Sequence, residues 1–370
     1  MSRNRALAAF LALAAFLHMA AALRTPLGAA SDDALHLLLA RNLLGGGFAV
    51  PGPGGVPVTD PLPGFALLLA LPVALLSPHW GLLRAVSLLS AALLVWGTWR
   101  LARRLLGPEA APLAAALAAF NPVLVGWAGV AMPDVLYAGV SLLVIAGAPP
   151  ARAGGGGLRR RHGALLAAAA CWGRGWRWAV AAFAPLALWS ARNAYVSGSA
   201  TAYVSNAKDQ SDLLAAWSTL PAHAWKLVGE CLGRGVLGLP AGALAGLGGL
   251  VLLLVCVAGA RALWRRGAEK PLLRSAGAYL VLLVLLHLVW RPWQSRYSLT
   301  VMPFVWILLL AAAEPLFDRR KAVAWALCGL LALPGLSRSL GYAFEGLAAP
   351  RVELWPRSAA WLRANVPAGE

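Results

Sequence analysis

The chain has 370 residues, of which 60% are hydrophobic and only 12% charged, and its mean hydropathy is +0.70. This composition excludes an ordinary soluble domain and predicts an all-α polytopic membrane protein. The net charge of +18 would suggest nucleic acid in a soluble protein. Here the arginines stand in clusters between apolar segments, as the positive-inside rule expects, so no nucleic-acid partner is predicted. The four cysteines have no paired spacing and predict neither a disulfide framework nor a zinc site.

The first element is an apolar run, Ala6–Leu23, which follows the basic sequence MSRNR. It has the form of a signal peptide or of a first transmembrane helix. Because the run is long enough to span a bilayer and further spans follow, we predict an uncleaved anchor with a cytoplasmic N-terminus. Residues 24–80 are then predicted to lie wholly outside.

The next element is SDDALHLLLARNLLGGG, residues 31–47. It predicts an amphipathic helix that opens with Asp32 and Asp33 and stops at a triple glycine. Asp32 and His36 lie one turn apart on one face, and another face is predicted to carry Leu35, Leu38, Leu39 and Leu43. Carboxylates at the start of a surface helix suit proton chemistry. An aspartate there equally suits an N-cap with a purely structural function.

Two apolar segments follow a Gly/Pro-rich loop, residues 51–64, that is predicted to be irregular. Phe65–Ser77 is shorter than the roughly 20 residues that a span needs, so we predict that it lies along the membrane interface. The segment Leu82–Trp99 then runs inward and delivers three arginines to the cytoplasm, Arg100, Arg103 and Arg104.

Seven further spans alternate in direction, keep each later basic cluster in the cytoplasm and leave the C-terminus outside. They are Ala110–Trp127, Val135–Ala148, Gly163–Ala191, Val236–Ala260, Leu272–Val289, Ser298–Ala313 and Ala322–Leu340. The total is nine spans. One of them contains the sequence CWGRGWRW, which puts Arg174 and Arg177 near the bilayer centre, where charges are costly.

This topology places a set of carboxylates and arginines on the outer face: Asp32, Asp33, Asp60, Asp134, Arg192, Arg291 and Arg296. Asp134 follows an outward span and Asp32 lies in the loop helix, so the two are predicted to face one cavity. Arg296 begins a span, where a guanidinium can hold a lipid phosphate at headgroup depth. The structural alternatives are an N-cap for Asp134, snorkelling for Arg296 and a place in the aromatic belt for Tyr297.

The order of these elements resembles the GT-C glycosyltransferases, within the branch of protein mannosyltransferases and lipid A aminoarabinose transferases. The shared order is a first span, an external helix with two initial acidic residues, a glycine stop, a proline-rich loop, an interfacial helix and an aspartate after an outward span. The matching sequences are RLARRLLG, FNPVLVGWAGVAMPDVLY, LWSARNAYVSG and RYSLTVMPF, and the resemblance covers about residues 5–350.

The resemblance implies a bundle of about nine transmembrane helices with external interfacial helices over residues 1–340. Residues 341–370 would be an external C-terminal segment similar to the start of a soluble domain. The implied activity moves a sugar from a polyprenyl-phosphate donor to a lipid, glycan or protein acceptor on the outer side of the cell membrane, among the membrane lipids. No cofactor or metal ligand set is predicted, and dependence on a divalent metal is left open.

The resemblance also implies a function for single residues. Asp32 would be the general base, with Asp33 beside it and Asp134 as a further catalytic carboxylate. Arg296 would hold the leaving phosphate. The other residues assigned to substrate binding are Arg192, Arg291, Tyr297, His36 and Asp60.

The sequence departs from this family at several points. Asp60-Pro61 replaces a Lys-Pro-Pro sequence, and His36 stands where a tyrosine is usual. Gly163–Ala191 crosses once instead of three times, so we interpret CWGRGWRW as a junction left by the loss of two spans. Two alternatives follow: a truncated, catalytically inactive relative and, less favoured, a transporter or flippase with charges along a pathway.

Overall fold

The structure is a computed structural model that describes residues 3–25, 32–50, 56–58, 63–76, 84–146, 187–188, 191–196, 222, 225, 227–234, 236, 242–267, 270–289, 295–319 and 321–345. Across these ranges the chain is mostly helical, which confirms the helical class predicted from the sequence. The one sheet within the same ranges is an antiparallel pair of two-residue strands.

The α-helices are α1 (Arg3–Arg24), α2 (Asp32–Leu44), α3 (Pro63–Leu76), α4 (Arg84–Leu105), α5 (Ala111–Ala119), α6 (Pro122–Trp127), α7 (Pro133–Ala146), α8 (Ala243–Arg265), α9 (Lys270–Val289), α10 (Met302–Arg319) and α11 (Lys321–Glu345). The strands are β1 (Ala49–Val50) and β2 (Val56–Pro57). A π-helical segment occupies Leu227–Arg234, and a 3₁₀-helix occupies Ser295–Thr300.

Two of the described helices are long and apolar enough to cross a membrane, namely α4 and the part of α8 from Gly246 to Arg265. Shorter apolar stretches occur in α1, α3, α7, α9 and α10. Helices coincide with the predicted spans at α1, α4, α7, α9, α10 and α11. The unusual span with Arg174 and Arg177 lies almost entirely beyond the described residues.

The prediction of one helix over Ala110–Trp127 is wrong, because this part of the chain forms two helices, α5 and α6. Asn121 begins the second helix, because its side-chain oxygen accepts hydrogen bonds from the backbone nitrogens of Val123 (2.9 Å) and Leu124 (3.3 Å). Pro122 occupies the first helical position, where its missing N–H costs nothing. The Asn-Pro pair is therefore the physical reason for the break.

The break leaves carbonyl groups at the end of α5 without helical partners. His18 of α1 donates from Nε2 to the carbonyl oxygen of Ala119 at 2.8 Å. The Oγ of Ser339 in α11 lies 2.7 Å from the carbonyl oxygen of Phe120 and 2.9 Å from that of Gly335 in its own helix, so its one hydroxyl hydrogen is shared between the two acceptors. Two other helices thus satisfy the backbone of the break, as an apolar environment requires.

Helices α4 and α7 run parallel and approach closely at two glycines. A Cβ on Gly97 would lie 2.8 Å from Cβ of Leu142, and one on Gly139 would lie 2.9 Å from the backbone nitrogen of Leu94. Small residues of this kind allow helix backbones to touch. The contact continues to the helix ends, where Arg104 Nη1 donates to the carbonyl of Ala146.

Helices α8 and α10 are also parallel. Gly259 packs against the backbone of Leu308, and farther along Arg266 forms an ion pair with Glu314. Together with α4, α5, α7 and α9, these two helices enclose the main apolar core.

The two ends of the bundle differ in charge. An Asp134–Arg296 ion pair puts the starts of α7 and α10 at one end. Because α4 is parallel to α7 and α8 is parallel to α10, their basic C-terminal turns share the opposite end. That end carries Arg100, Arg103, Arg104, Arg261, Arg265 and Arg266, and α9 begins beside them with Lys270 and Arg274. Two of the basic clusters predicted to share one side of a membrane, those that end α4 and α8, therefore share one end of the described part of the molecule.

Candidate functional site

Asp134 and Arg296 form an ion pair at the end of the bundle opposite to the basic end. Pro133 starts α7, so Asp134 stands in its first turn, where the helix dipole favours a carboxylate. Arg296 lies in the 3₁₀-helix just before α10. Its Nε is 3.5 Å from Oδ2 of Asp134, and the two side chains are 8% and 21% exposed. The burial of Arg296 fits snorkelling less well, because a snorkelling arginine keeps its head group in water. The first-turn position of Asp134 suits its structural alternative as well as an ion pair.

The guanidinium of Arg296 is surrounded by two aromatic rings and a thioether. Its central carbon is 5.7 Å from the ring centroid of Trp127 and 5.3 Å from that of Tyr297. Its Nη1 is 3.6 Å from Sδ of Met132, and its Nη2 is 3.5 Å from the hydroxyl of Tyr297. Stacking of this kind fixes the plane of the guanidinium while its N–H groups stay directed outward in that plane.

Helix α2 begins at Asp32, close to the predicted start, and carries Asp33 on its buried face. Asp33 is fully buried, and His36, one turn later, is 4% exposed. The His36 ring meets the Phe65 ring of α3 edge to face, with centroids 5.1 Å apart. The side chain of Asp32 lies outside the described part of the structure, so its predicted approach to Asp134 stays a prediction.

The leucines of α2 divide between two faces. Leu39 is buried against Val58 and Ala66, with Leu35 and Leu43 beside it. Leu38, three residues after Leu35, is 38% exposed.

An apolar cluster joins α2 to the start of α7. Leu37 and Ala40 of α2 pack with Ala131, which precedes α7, and with Leu136 inside it; the other members are Phe65, Leu69, Val73 and Val86. Asp33 lies one turn before Leu37 on the same helix face. Side chains of α2, α3 and the start of α7 therefore share one apolar cluster.

Arg192, predicted to bind substrate, is engaged with the backbone of the external segment. It donates from Nη1 to the carbonyl of Val58 at 2.5 Å and from Nη2 to that of Phe48 at 3.1 Å. These carbonyls flank β1 and β2, whose pairing corrects the prediction of an irregular loop: Ala49 faces Pro57. The guanidinium also lies 5.7 Å above the Phe48 ring.

Two other predicted site residues, Asp60 and Arg291, lie outside the described ranges. In the residues that the structure describes, no group of three or more histidine, cysteine, aspartate or glutamate side chains could hold a metal ion. The question of a divalent metal is thus left where the sequence leaves it.

Sequence reasoning missed three residues of this end. Trp127 and Met132 contact Arg296, and Arg84 donates from Nη2 to the carbonyl of Thr25 at 2.9 Å, which joins the start of α4 to the end of α1. Arg84 is inside the predicted span Leu82–Trp99, and a charge so near the end of a span is a usable signal. Met132 and Trp127 gave no signal beyond their proximity to Asp134 in sequence.

Comparison with known proteins adds no relative. No protein-family profile, no curated protein and no solved structure matches the chain. The geometry of the site consists of an arginine paired with a carboxylate and placed over two aromatic rings, with an apolar cluster that connects α7 to the helix that opens with two aspartates.

Proposed function

We propose that the chain is an integral-membrane glycosyltransferase of the GT-C type. It would move a sugar from a polyprenyl-phosphate donor to a lipid, glycan or protein acceptor on the outer face of the membrane. The observation that carries this proposal is the Asp134–Arg296 pair, 3.5 Å between Nε and Oδ2. The helix that begins with Asp32 and Asp33 shares an apolar cluster with the start of α7. Such a site joins a cation for a phosphate to carboxylates for a proton.

The proposed topology has nine spans, a cytoplasmic N-terminus, an external C-terminus and α3 in the interface plane. The segregation of basic residues to one end of the bundle supports it. So does α3, which buries Phe65 and Leu69 and exposes an opposite row of leucines. That row is Leu67 (57% exposed), Leu68 (47%), Leu71 (66%) and Leu75 (72%). An exposed apolar face on a helix of this length suits contact with lipid.

The chemistry follows from the two charge types. Asp32 would take the proton from an acceptor hydroxyl as the oxygen bonds to the anomeric carbon of the sugar. The bond from that carbon to the phosphate oxygen breaks, and the electron pair leaves with the lipid phosphate. Arg296 would stabilise the charge that develops there with its planar fork of N–H groups, a fit that lysine cannot copy.

The remaining carboxylates would orient these groups. Asp134 holds Arg296 through Nε, and a donor phosphate would take the place of Met132 and Tyr297 at Nη1 and Nη2. Asp33 is fully buried, so it would fix the start of α2 and Asp32 with it instead of meeting the acceptor. Tyr297 would line the sugar site. His36, which is 4% exposed and packs on Phe65, would support that site from behind, and Arg192 would act on it by holding the segment around β1 and β2.

Transfer by the purified full-length protein tests the proposal directly. The protein would be incubated with radiolabelled polyprenyl-phosphate sugars and membrane extract, alongside the Asp32→Asn and Arg296→Ala variants. Arg274→Ala is the matched control, because Arg274 is an exposed arginine at the opposite end. Transfer that depends on Asp32 and Arg296 but not on Arg274 supports the proposal.

Two other outcomes decide between the alternatives. Donor binding that needs Arg296 without any transfer would identify an inactive relative. Passage of the intact lipid-linked sugar across vesicles, with no product, would identify a flippase and overturn the proposal.

A further inference from the structure

The break between α5 and α6 is connected to the candidate site by one short helix. Its inner end is held by His18 and Ser339, whose side chains donate to the carbonyls of Ala119 and Phe120 at 2.8 and 2.7 Å. The outer end of α6 is Trp127, the residue whose ring lies 5.7 Å from the Arg296 guanidinium. A helix of six residues is only about 9 Å long.

Local hydrogen bonds connect the residues between these two ends. Asn121 caps α6, and backbone hydrogen bonds run on from Ala128 to Val125 and from Val130 to Trp127. Met132, whose Sδ is 3.6 Å from Arg296 Nη1, then donates its N–H to the carbonyl of Val130. Hydrogen bonds therefore connect the break to both Arg296 contacts without interruption.

Neighbouring helices limit the ways in which this piece can shift. A Cβ on Gly129 would lie 2.7 Å from Cα of Ala22, so α1 touches the outer loop as closely as backbones allow. Ser87 of α4 donates to the carbonyl of Val130 at 2.9 Å. The inner end of α6 is held by the side-chain hydrogen bonds of His18 and Ser339 and by packing against α11, where a Cβ on Gly335 would lie 3.4 Å from Cδ of Pro122.

We propose that His18 and Ser339 are positioning residues for Arg296, acting through α6 on Trp127 and Met132. The proposal rests on the proposed function only for its kinetic consequence, since the structural chain from His18 to Arg296 stands without it. Neither residue touches Arg296. Both are buried side chains of helices distant in sequence from the break, His18 being 8% and Ser339 0% exposed.

The hydrogen bonds define which substitutions separate positioning from packing. A carbonyl oxygen can only accept, so His18 Nε2 carries a hydrogen and donates. Glutamine also offers an N–H donor of similar reach, whereas leucine fills space without a donor. At Ser339, threonine keeps the hydroxyl and alanine removes it.

The structural test uses the full-length protein labelled with 5-fluorotryptophan in lipid nanodiscs. The fluorine resonance of Trp127 is assigned by its loss in Trp127→Phe. His18→Leu and Ser339→Ala are expected to move that resonance, while His18→Gln and Ser339→Thr restore it. Ser90→Ala is the matched control, because Ser90 is a buried serine that donates only to Val86 of its own helix at 2.7 Å.

The kinetic test measures donor KM and kcat on the same variants. Loss of one positioning hydrogen bond is expected to raise the donor KM roughly fivefold, with a smaller change in kcat. If His18→Leu does not fold, Ser339→Ala decides. An unmoved Trp127 resonance in a folded Ser339→Ala protein, or equal effects of His18→Gln and His18→Leu, would overturn the proposal. If the wild type transfers no sugar, the proposed function fails and the resonance still decides the positioning.

Discussion

Replacing Arg296 tests the centre of the site. Arg296→Ala removes a guanidinium that is 8% exposed and leaves Asp134, 21% exposed, without its ionic partner. Arg296→Lys keeps one charge but loses the planar fork and the stacking on Trp127 and Tyr297. We expect the alanine variant to lose most of its donor affinity and the lysine variant to recover part of it.

The magnitude follows from the geometry. At 3.5 Å and an effective dielectric constant of about 20, the Coulomb attraction is about 5 kcal/mol before desolvation is subtracted. A charged hydrogen bond to the donor phosphate contributes about 1.5–3 kcal/mol net. The donor affinity should therefore fall by about ten- to a hundredfold in Arg296→Ala.

Donor binding and thermal unfolding are measured together, so that affinity is separated from folding. A double-mutant cycle with Asp134→Asn should give a coupling of about 1–2 kcal/mol in stability. Arg274→Ala should change neither quantity. A fall in donor affinity of less than twofold in a folded Arg296→Ala protein would refute the assignment of Arg296 to the phosphate.

Three further predictions concern the base, the packing and the topology. Asp32→Asn should abolish transfer and leave the fold intact, because an amide cannot take the acceptor proton. Asp33→Asn should lower the transfer rate less. Wild-type turnover by Asp32→Asn would favour the N-cap interpretation. Gly139→Ala should destabilise the protein by about 1–3 kcal/mol because its Cβ would meet the α4 backbone, whereas Gly277→Ala, in open space, should not lower the melting temperature. A cysteine at Pro78, with the native cysteines removed, should react with an impermeant reagent from outside; reaction only from the cytoplasmic side would contradict the nine-span topology.

Much of the helical layout was predictable because apolar length and basic flanks are local signals. The start of α2 at Asp32 and its end before Gly45 follow from residues that are adjacent in sequence. The break in the span Ala110–Trp127 was also present as Asn121-Pro122, but the high hydrophobicity of the flanks outweighed it. Its backbone partners, His18 and Ser339, come from distant helices and no local pattern could have supplied them.

The candidate site shows the same division. Asp134 and Arg296 were singled out for their positions at the ends of spans, yet their pairing depends on the packing of α7 against the 3₁₀-helix that precedes α10. Trp127 was counted only as the end of a span, although it stacks on Arg296. Arg192 was assigned to substrate, but it holds the segment around β1 and β2. Arg192 contacts these two carbonyls because of the way the segment around β1 and β2 folds. The residues next to Arg192 in the sequence do not determine that fold.

In the proposed topology, the gathering of basic residues at one end would give the molecule a fixed orientation in an energised membrane. With the cytoplasm negative, turning the bundle over would carry the charges of α4, α8 and α9 against the potential, at about 2.3 kcal/mol per charge for each 100 mV. A cell would then make one population of the proposed sites, all open to the same compartment. Detergent-mediated reconstitution supplies no such bias, so sealed vesicles would hide the proposed sites of inverted molecules from added donor. Specific activity would then be expressed per accessible Asp134–Arg296 pair.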